Sequence, residues 1–130
     1  MSQRVTPYLA YADAPTALKF LCEAFGFEER SRHPMPDGRI GHAELGYAGE
    51  SVVWLASVYE ELGFCSPRDL SGVHSQVHCY VDDVDAHYER ARNAGATVIA
   101  APEDQAHGDR SYRAVDPEGH RWIFATRASG

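Results

Sequence analysis

His42 and Glu44 stand two residues apart in the strand-like stretch Ile40-Gly41-His42-Ala43-Glu44-Leu45. On a strand that spacing places an imidazole and a carboxylate on one face. The pair can share a proton, ligate a metal or orient a polar ligand. In a second strand-like stretch His78 shares a face with Gln76. Three readings of His42, Glu44 and His78 therefore stand side by side. They form a displaced metal site, or hold an organic ligand, or are structural, with His42 and Glu44 bonded to each other or to Arg39 in a polar wall. The other histidines carry less. His33, His74, His87 and His107 fall on strand ends, a helix surface or a loop and read as solvated; His120 opens a strand after a turn and reads as a fold residue. Arg110, Arg113 and Arg121 lie near loops, as ion-pair partners in water or as holders of an anionic ligand. No glycine-rich phosphate loop, no G-x-S-x-G and no H-E-x-x-H is present.

Composition limits the partners. The chain has 130 residues, 44% of them hydrophobic and 24% charged, as in an ordinary globular domain. One domain, 1–130, is expected, large enough to bury a core without staples. The net charge of −7, with no run of Lys or Arg, argues against nucleic acid and anionic membrane surfaces as partners. No apolar run approaches the ~20 residues of a membrane span. Met1-Ser2-Gln3-Arg4 leads into a strand-like segment without a signal-peptide core, so a cytoplasmic address is expected. Cys22, Cys65 and Cys79 lack C-x-x-C spacing and read as buried thiols of a reducing compartment.

The elements that position these residues come as a repeat. A shift of 69 residues matches Tyr11 with Tyr80, Asp13 with Asp82, Ala17 with Ala86, Gly26 with Gly95 and Ala56 with Ala125. In the first copy residues 4–11 alternate as a strand. Asp13 then offers its carboxylate to a helix start, with Pro15 in the first turn. Ala14, Ala17, Leu18, Leu21, Cys22 and Phe25 make one apolar helical stripe, and Gly26 suits the left-handed residue after a helix. Strands are predicted at 27–34, 39–47 and 51–57. The second copy repeats the order: a strand at 75–81, a helix over about 83–94, and strands at about 96–100, 110–115 and 120–126. Module one thus covers 4–57, a linker 58–73, and module two 74–126. Each module reads β-α-β-β-β, an α+β fold in which neither half can bury its sheet face alone.

Val5-Thr6-Pro7-Tyr8-Leu9, Ala24-Phe25-Gly26, Asp37 through Leu45, Tyr80-Val81-Asp82-Asp83-Val84-Asp85, Gly108-Asp109-Arg110 and Asp116-Pro117-Glu118-Gly119-His120-Arg121-Trp122 carry a resemblance. In this order the chain resembles the vicinal oxygen chelate superfamily of glyoxalases, bleomycin-resistance proteins and extradiol dioxygenases, in its glyoxalase-like branch. The resemblance implies tandem βαβββ modules forming a cup-shaped mixed sheet around a cavity, and a homodimer. Metal-dependent members take His or Glu ligands from the first and last strand of each module. Those positions fall on Thr6, Trp54, Gln76 and Ile123, which cannot supply such a ligand set. No metal and no other cofactor is therefore expected.

The period of two sorts the cup's lining. Thr6, Tyr8 and Ala10 share a face, as do Val52, Trp54 and Ala56; Gln76, His78 and Tyr80; and Arg121, Ile123 and Ala125. His42 and Glu44 point the same way, while Val53, Leu55, Trp122 and Phe124 pack under the helices. The expectation is a metal-free small-molecule-binding protein whose cavity uses Thr6, Tyr8, His42, Glu44, Trp54, Gln76, His78, Arg121 and Ile123. The alternative is a metal-dependent lyase or dioxygenase on the displaced His42, Glu44 and His78 site. A third reading is metal-free catalysis with Glu44 or His42 as the base.

Overall fold

Asp13 starts the first helix as its position suggests: its carboxylate accepts from the Thr16 amide at 3.2 Å and the Thr16 hydroxyl at 2.8 Å. In the computed structural model, which describes residues 4–127, this helix is α1 (Ala14–Phe25). It buries Ala14, Ala17, Leu18, Leu21, Ala24 and Phe25 and stops at Gly26, whose φ of 77° is left-handed. The second helix, α2 (Val84–Asn93), is capped by Asp83 through the Ala86 amide at 3.2 Å. The two helices touch. Arg90 of α2 donates to the carbonyls of Glu23 and Cys22, at 2.9 and 3.2 Å, so one module's guanidinium closes the end of the other module's helix.

Eight strands accompany them: β1 (Tyr8–Tyr11), β2 (Glu28–Pro34), β3 (Ile40–Tyr47), β4 (Glu50–Ser57), β5 (Gln76–Tyr80), β6 (Thr97–Asp104), β7 (Asp109–Val115) and β8 (Arg121–Arg127). They form two four-stranded mixed sheets in the orders β1-β4-β3-β2 and β5-β8-β7-β6. In each sheet the first strand runs parallel to the last strand of its module. This is the tandem βαβββ architecture expected above. Strand β1 is shorter than the predicted 4–11; Pro7 has no amide hydrogen to give, although its carbonyl accepts from Trp54 at 2.9 Å. The reading of Met1-Ser2-Gln3 lies outside the described residues. Among those described, no helix is long and apolar enough to cross a membrane.

One core serves both modules. Phe25 meets Trp122 and Phe124 at ring separations of 5.5 and 4.7 Å, and Phe27 meets Trp122 at 5.5 Å. Trp122 and Phe124 stack at 5.8 Å. Each fully buried aromatic of this kind contributes about 2–3 kcal/mol by leaving water.

Two polar devices join the modules. The turn between β7 and β8 buries Asp116 and Glu118. Asp116 accepts from the Tyr11 hydroxyl at 2.6 Å and the Trp122 indole at 3.1 Å on one oxygen. Its other oxygen takes the amides of Glu118 and His120, both at 3.1 Å. Glu118 receives the amides of Ala12 and Asp13 at 2.6 and 2.8 Å, and the Ser66 hydroxyl. His120 also donates to the Ala10 carbonyl at 2.8 Å, the fold role expected of it.

Three expectations are corrected here. His87 is not solvated: it is 8% exposed, bonded to the Tyr112 hydroxyl at 2.6 Å and to the Phe25 carbonyl at 2.7 Å. Its place in the α2 stripe decides this, because that stripe faces α1 and β7. Cys65 is exposed, and Cys22 and Cys79 are half-buried. The self-match of Tyr11 with Tyr80 is not a structural equivalence, since Tyr11 is fully buried and Tyr80 is 43% exposed. The modules are offset by 70 residues before the helices, Asp13 to Asp83, and by 69 after them, Gly26 to Gly95. One residue is lost within the helical segment, so Tyr11 corresponds to the buried Val81.

Candidate functional site

Tyr8, His42, Glu44 and Trp54 come together on the face of the first sheet turned away from the helices. Register alone brings this about, because Tyr8 pairs with Trp54 across β1 and β4 and Glu44 pairs with Trp54 across β3 and β4. The Glu44 carboxylate accepts from His42 Nε2 at 3.0 Å, and Ser51 donates to its other oxygen at 3.4 Å. That contact leaves Nδ1 of the imidazole as the acceptor, and the Tyr8 hydroxyl donates to it at 2.8 Å. The result is a carboxylate–imidazole–phenol chain, the mutual bonding foreseen for His42 and Glu44 with Tyr8 added. The His42 bond holds the Glu44 carboxyl below its usual range, while partial burial, then the Tyr59 and Glu44 charges, push the Tyr8 phenol up. Tyr8 is therefore a neutral hydroxyl at pH 7, and it is 42% exposed at the open end of the chain.

Aromatic rings frame this chain edge to face. Trp54 lies 4.7 Å from His42 and 5.6 Å from Tyr8, and Phe64 lies 6.1 Å from Tyr8. An open apolar cleft of about 290 Å³ adjoins Tyr8, lined also by Gly41, Ala56, Tyr59, Leu62 and Phe64. Three of these, Tyr59, Leu62 and Phe64, come from the segment read as a plain linker, which folds back through two 3-10 turns and a Tyr59–Phe64 bridge. The signal was present, since three large apolar side chains within six residues of a linker are unneeded for a connection alone.

Gln76, His78, Arg121 and Ile123 gather separately, on the second sheet. They line an open cleft of about 640 Å³ with Val73, His74 and Ser75. The register places Gln76 beside Arg121 and His78 beside Ile123. The nine expected site residues thus fall on two sheet faces of one chain, not in one enclosed cavity, with Thr6 half-buried just before β1. A groove of about 590 Å³ is lined by residues of both modules, Pro7, Val52, Val77, His78, Cys79 and Tyr80 among them. Burial pushes the Cys79 thiol up to about 11, which removes it as a nucleophile.

A metal of the kind the fold family uses does not fit the four inherited positions. Ile123 has no donor atom, Trp54 offers only an N–H, and Thr6 and Gln76 are neutral oxygens. The displaced set is also dispersed, since His42 and Glu44 bond each other on one sheet and His78 stands on the other. Among the described residues no three His, Cys, Asp or Glu side chains are grouped to hold a metal ion.

The fold and these two half-lined faces define the class. Residues 4–124 match the family model of the Glyoxalase/Bleomycin resistance protein/Dioxygenase superfamily, and the chain belongs to that family. It is 42% identical over 120 residues to an uncharacterised protein of Mycobacterium bovis, covering 91% of this chain and 79% of that one. TioX from a Micromonospora species superposes with a TM-score of 0.75 at 32% identity, over 97% of this chain and 99% of that one. A superfamily member from Sphaerobacter thermophilus shares the fold at TM-score 0.75 and 19% identity, covering 98% of each chain.

Proposed function

We propose that this chain is a metal-free small-molecule-binding protein of the bleomycin-resistance type, seating a flat organic ligand against Tyr8, His42 and Trp54. One observation carries the reading: the hydrogen-bonded chain from Glu44 through His42 ends at an exposed Tyr8 hydroxyl framed by Trp54 and Phe64. The rings supply stacking surface, and the Tyr8 hydroxyl, fixed in direction by His42, orients a polar edge. The free thiols of Cys22, Cys65 and Cys79 suit the reducing cytoplasm.

Screening planar organic compounds by tryptophan fluorescence, with calorimetry on the hits, tests this reading. Trp54→Ala and Tyr8→Ala are each expected to weaken binding about tenfold or more. Unchanged affinity in both variants would remove the pocket from this wall. The same chain supports a second reading, acid–base chemistry through Tyr8 and His42. Mass spectrometry of the recovered ligand separates the two, since a binding protein returns it unaltered.

A second copy of the chain completes the site in this proposal. Both clefts are open on one side, and a second copy of the same chain closes a half-lined cup without new residue types. Light scattering at micromolar concentration is expected to give the mass of a dimer; a monomer mass would overturn this part.

A further inference from the structure

We propose that the open face of the second module is an oxyanion seat, in which Arg121 and Arg113 hold the carboxylate of a small organic acid whose apolar body lies on Ile123 and Val73. The proposal deepens the ligand-binding reading, on which it rests, by naming the charge of the ligand. Cross-strand register places Arg113 directly opposite Ile123, two residues along β8 from Arg121. The two guanidinium groups therefore leave the same face of the sheet as diagonal neighbours, with Cα atoms about 7–8 Å apart. Arg121 is half-buried and Arg113 exposed.

Both are unpaired. The chain's other strand and helix arginines have partners: Arg30 with the Gly49 carbonyl, Arg32 with Glu29, Arg92 with Glu89, Arg110 with Asp85 and Asp104, Arg90 with two carbonyls, and Arg127 over the Tyr80 ring. Among the described residues the side chains of Arg113 and Arg121 have no hydrogen bond, ion pair or ring contact; Arg4 and Arg68 share that lack but stand on separate segments. Nineteen acidic residues and a net charge of −7 gave ample opportunity to neutralise two adjacent cations. Like charges left side by side on a sheet destabilise it, and an anion between them reverses the sign. Planar guanidinium groups match a carboxylate in two parallel hydrogen bonds. Gln76, beside Arg121, and His78, beside Ile123, add polar groups to the rim. The body is organic because Ile123 and Val73 line, with Arg121, a cleft of about 640 Å³, far larger than a bare anion needs, and Arg113 stands opposite Ile123 on the neighbouring strand.

Isothermal titration of the full chain with 2-naphthoate, its neutral amide 2-naphthamide, and inorganic phosphate tests the seat. The acid is expected to bind about tenfold tighter than the amide, with phosphate a weak competitor. Arg121→Ala, or Arg113→Ala if the first fails to fold, should abolish the preference, and Arg121→Lys should keep part of it. Equal affinity for acid and amide, binding of neither, a preference that survives both alanine variants, or phosphate competing as well as the acid overturns the proposal. Trp54→Ala separates the two readings. Acid and amide bound alike, and both lost in Trp54→Ala, leaves the aromatic wall and removes the seat. A preference intact in Trp54→Ala and lost in Arg121→Ala keeps the seat and removes the wall.

Discussion

Replacing Asp116 with Asn is expected to destabilise the domain by at least about 3 kcal/mol and to lower the thermal midpoint by roughly 10 °C. Asp116 is 3% exposed and both its oxygens are committed to donors, two on each. An amide keeps the shape but turns one acceptor into a donor, so an NH₂ group would face either the Tyr11 hydroxyl and Trp122 indole or two backbone amides. Any choice leaves buried donors without acceptors, which costs about 1–3 kcal/mol for each group. The loss reaches beyond the turn because Tyr11 belongs to module one and Trp122 to module two. Differential scanning calorimetry of Asp116→Asn beside Asp37→Asn, a change at an exposed turn, makes the comparison. A midpoint within about 3 °C of the wild type would mean that the carboxylate does not join the modules.

His87→Leu is expected to cost about 2–4 kcal/mol at pH 8, with a difference from wild type that shrinks toward pH 5. The bonds fix the tautomer. Nε2 donates to the Phe25 carbonyl, so Nδ1 accepts from the Tyr112 hydroxyl, and both partners are orphaned by Leu. Burial holds the imidazole below its usual range, against the raising effect of the Phe25 carbonyl, with the Arg90 charge acting in the same direction as burial. The unfolded chain therefore binds a proton near pH 6.5 that the folded chain refuses until lower pH. This contribution to stability is complete above about pH 6.5 and is lost as the pH falls from there through the folded value. The variant lacks it. Urea unfolding of both proteins at pH 8, 6.5 and 5 reads the gap; a gap that is constant or widens toward acid contradicts a neutral buried His87.

What proved legible in the sequence was what near neighbours decide. Asp13 and Gly26 bound α1 through contacts within four residues and a single dihedral angle. His42 and Glu44 share a face because strand side chains alternate, and their bond follows from a separation of two. The donor chemistry of Thr6, Trp54, Gln76 and Ile123 needs no coordinates to be unsuited to a catalytic metal. The repeat, too, could be seen in its punctuation, although its offset slipped by one ahead of the second helix, at Tyr80 and Asp82.

The tertiary structure alone decided which of these groups meet. Tyr8 lies 34 residues from His42 and completes its hydrogen-bond chain only because β1 and β3 both pair with β4. Phe64 joins the aromatic wall because the linker folds back, and His87 is dry because α1 lies against α2. Spacing left Arg113 and Arg121 open between solvated ion-pair partners and holders of an anionic ligand, whereas the register sets them as diagonal neighbours on one face of the second sheet. Tyr11 and Asp116, 105 residues apart, form a buried hydrogen bond between the modules. Caps, turns and periods are settled by residues within one turn or two strand positions. Desolvation and pairing depend on which surfaces come into contact, and that is set by the packing of the two modules rather than by spacing along the chain.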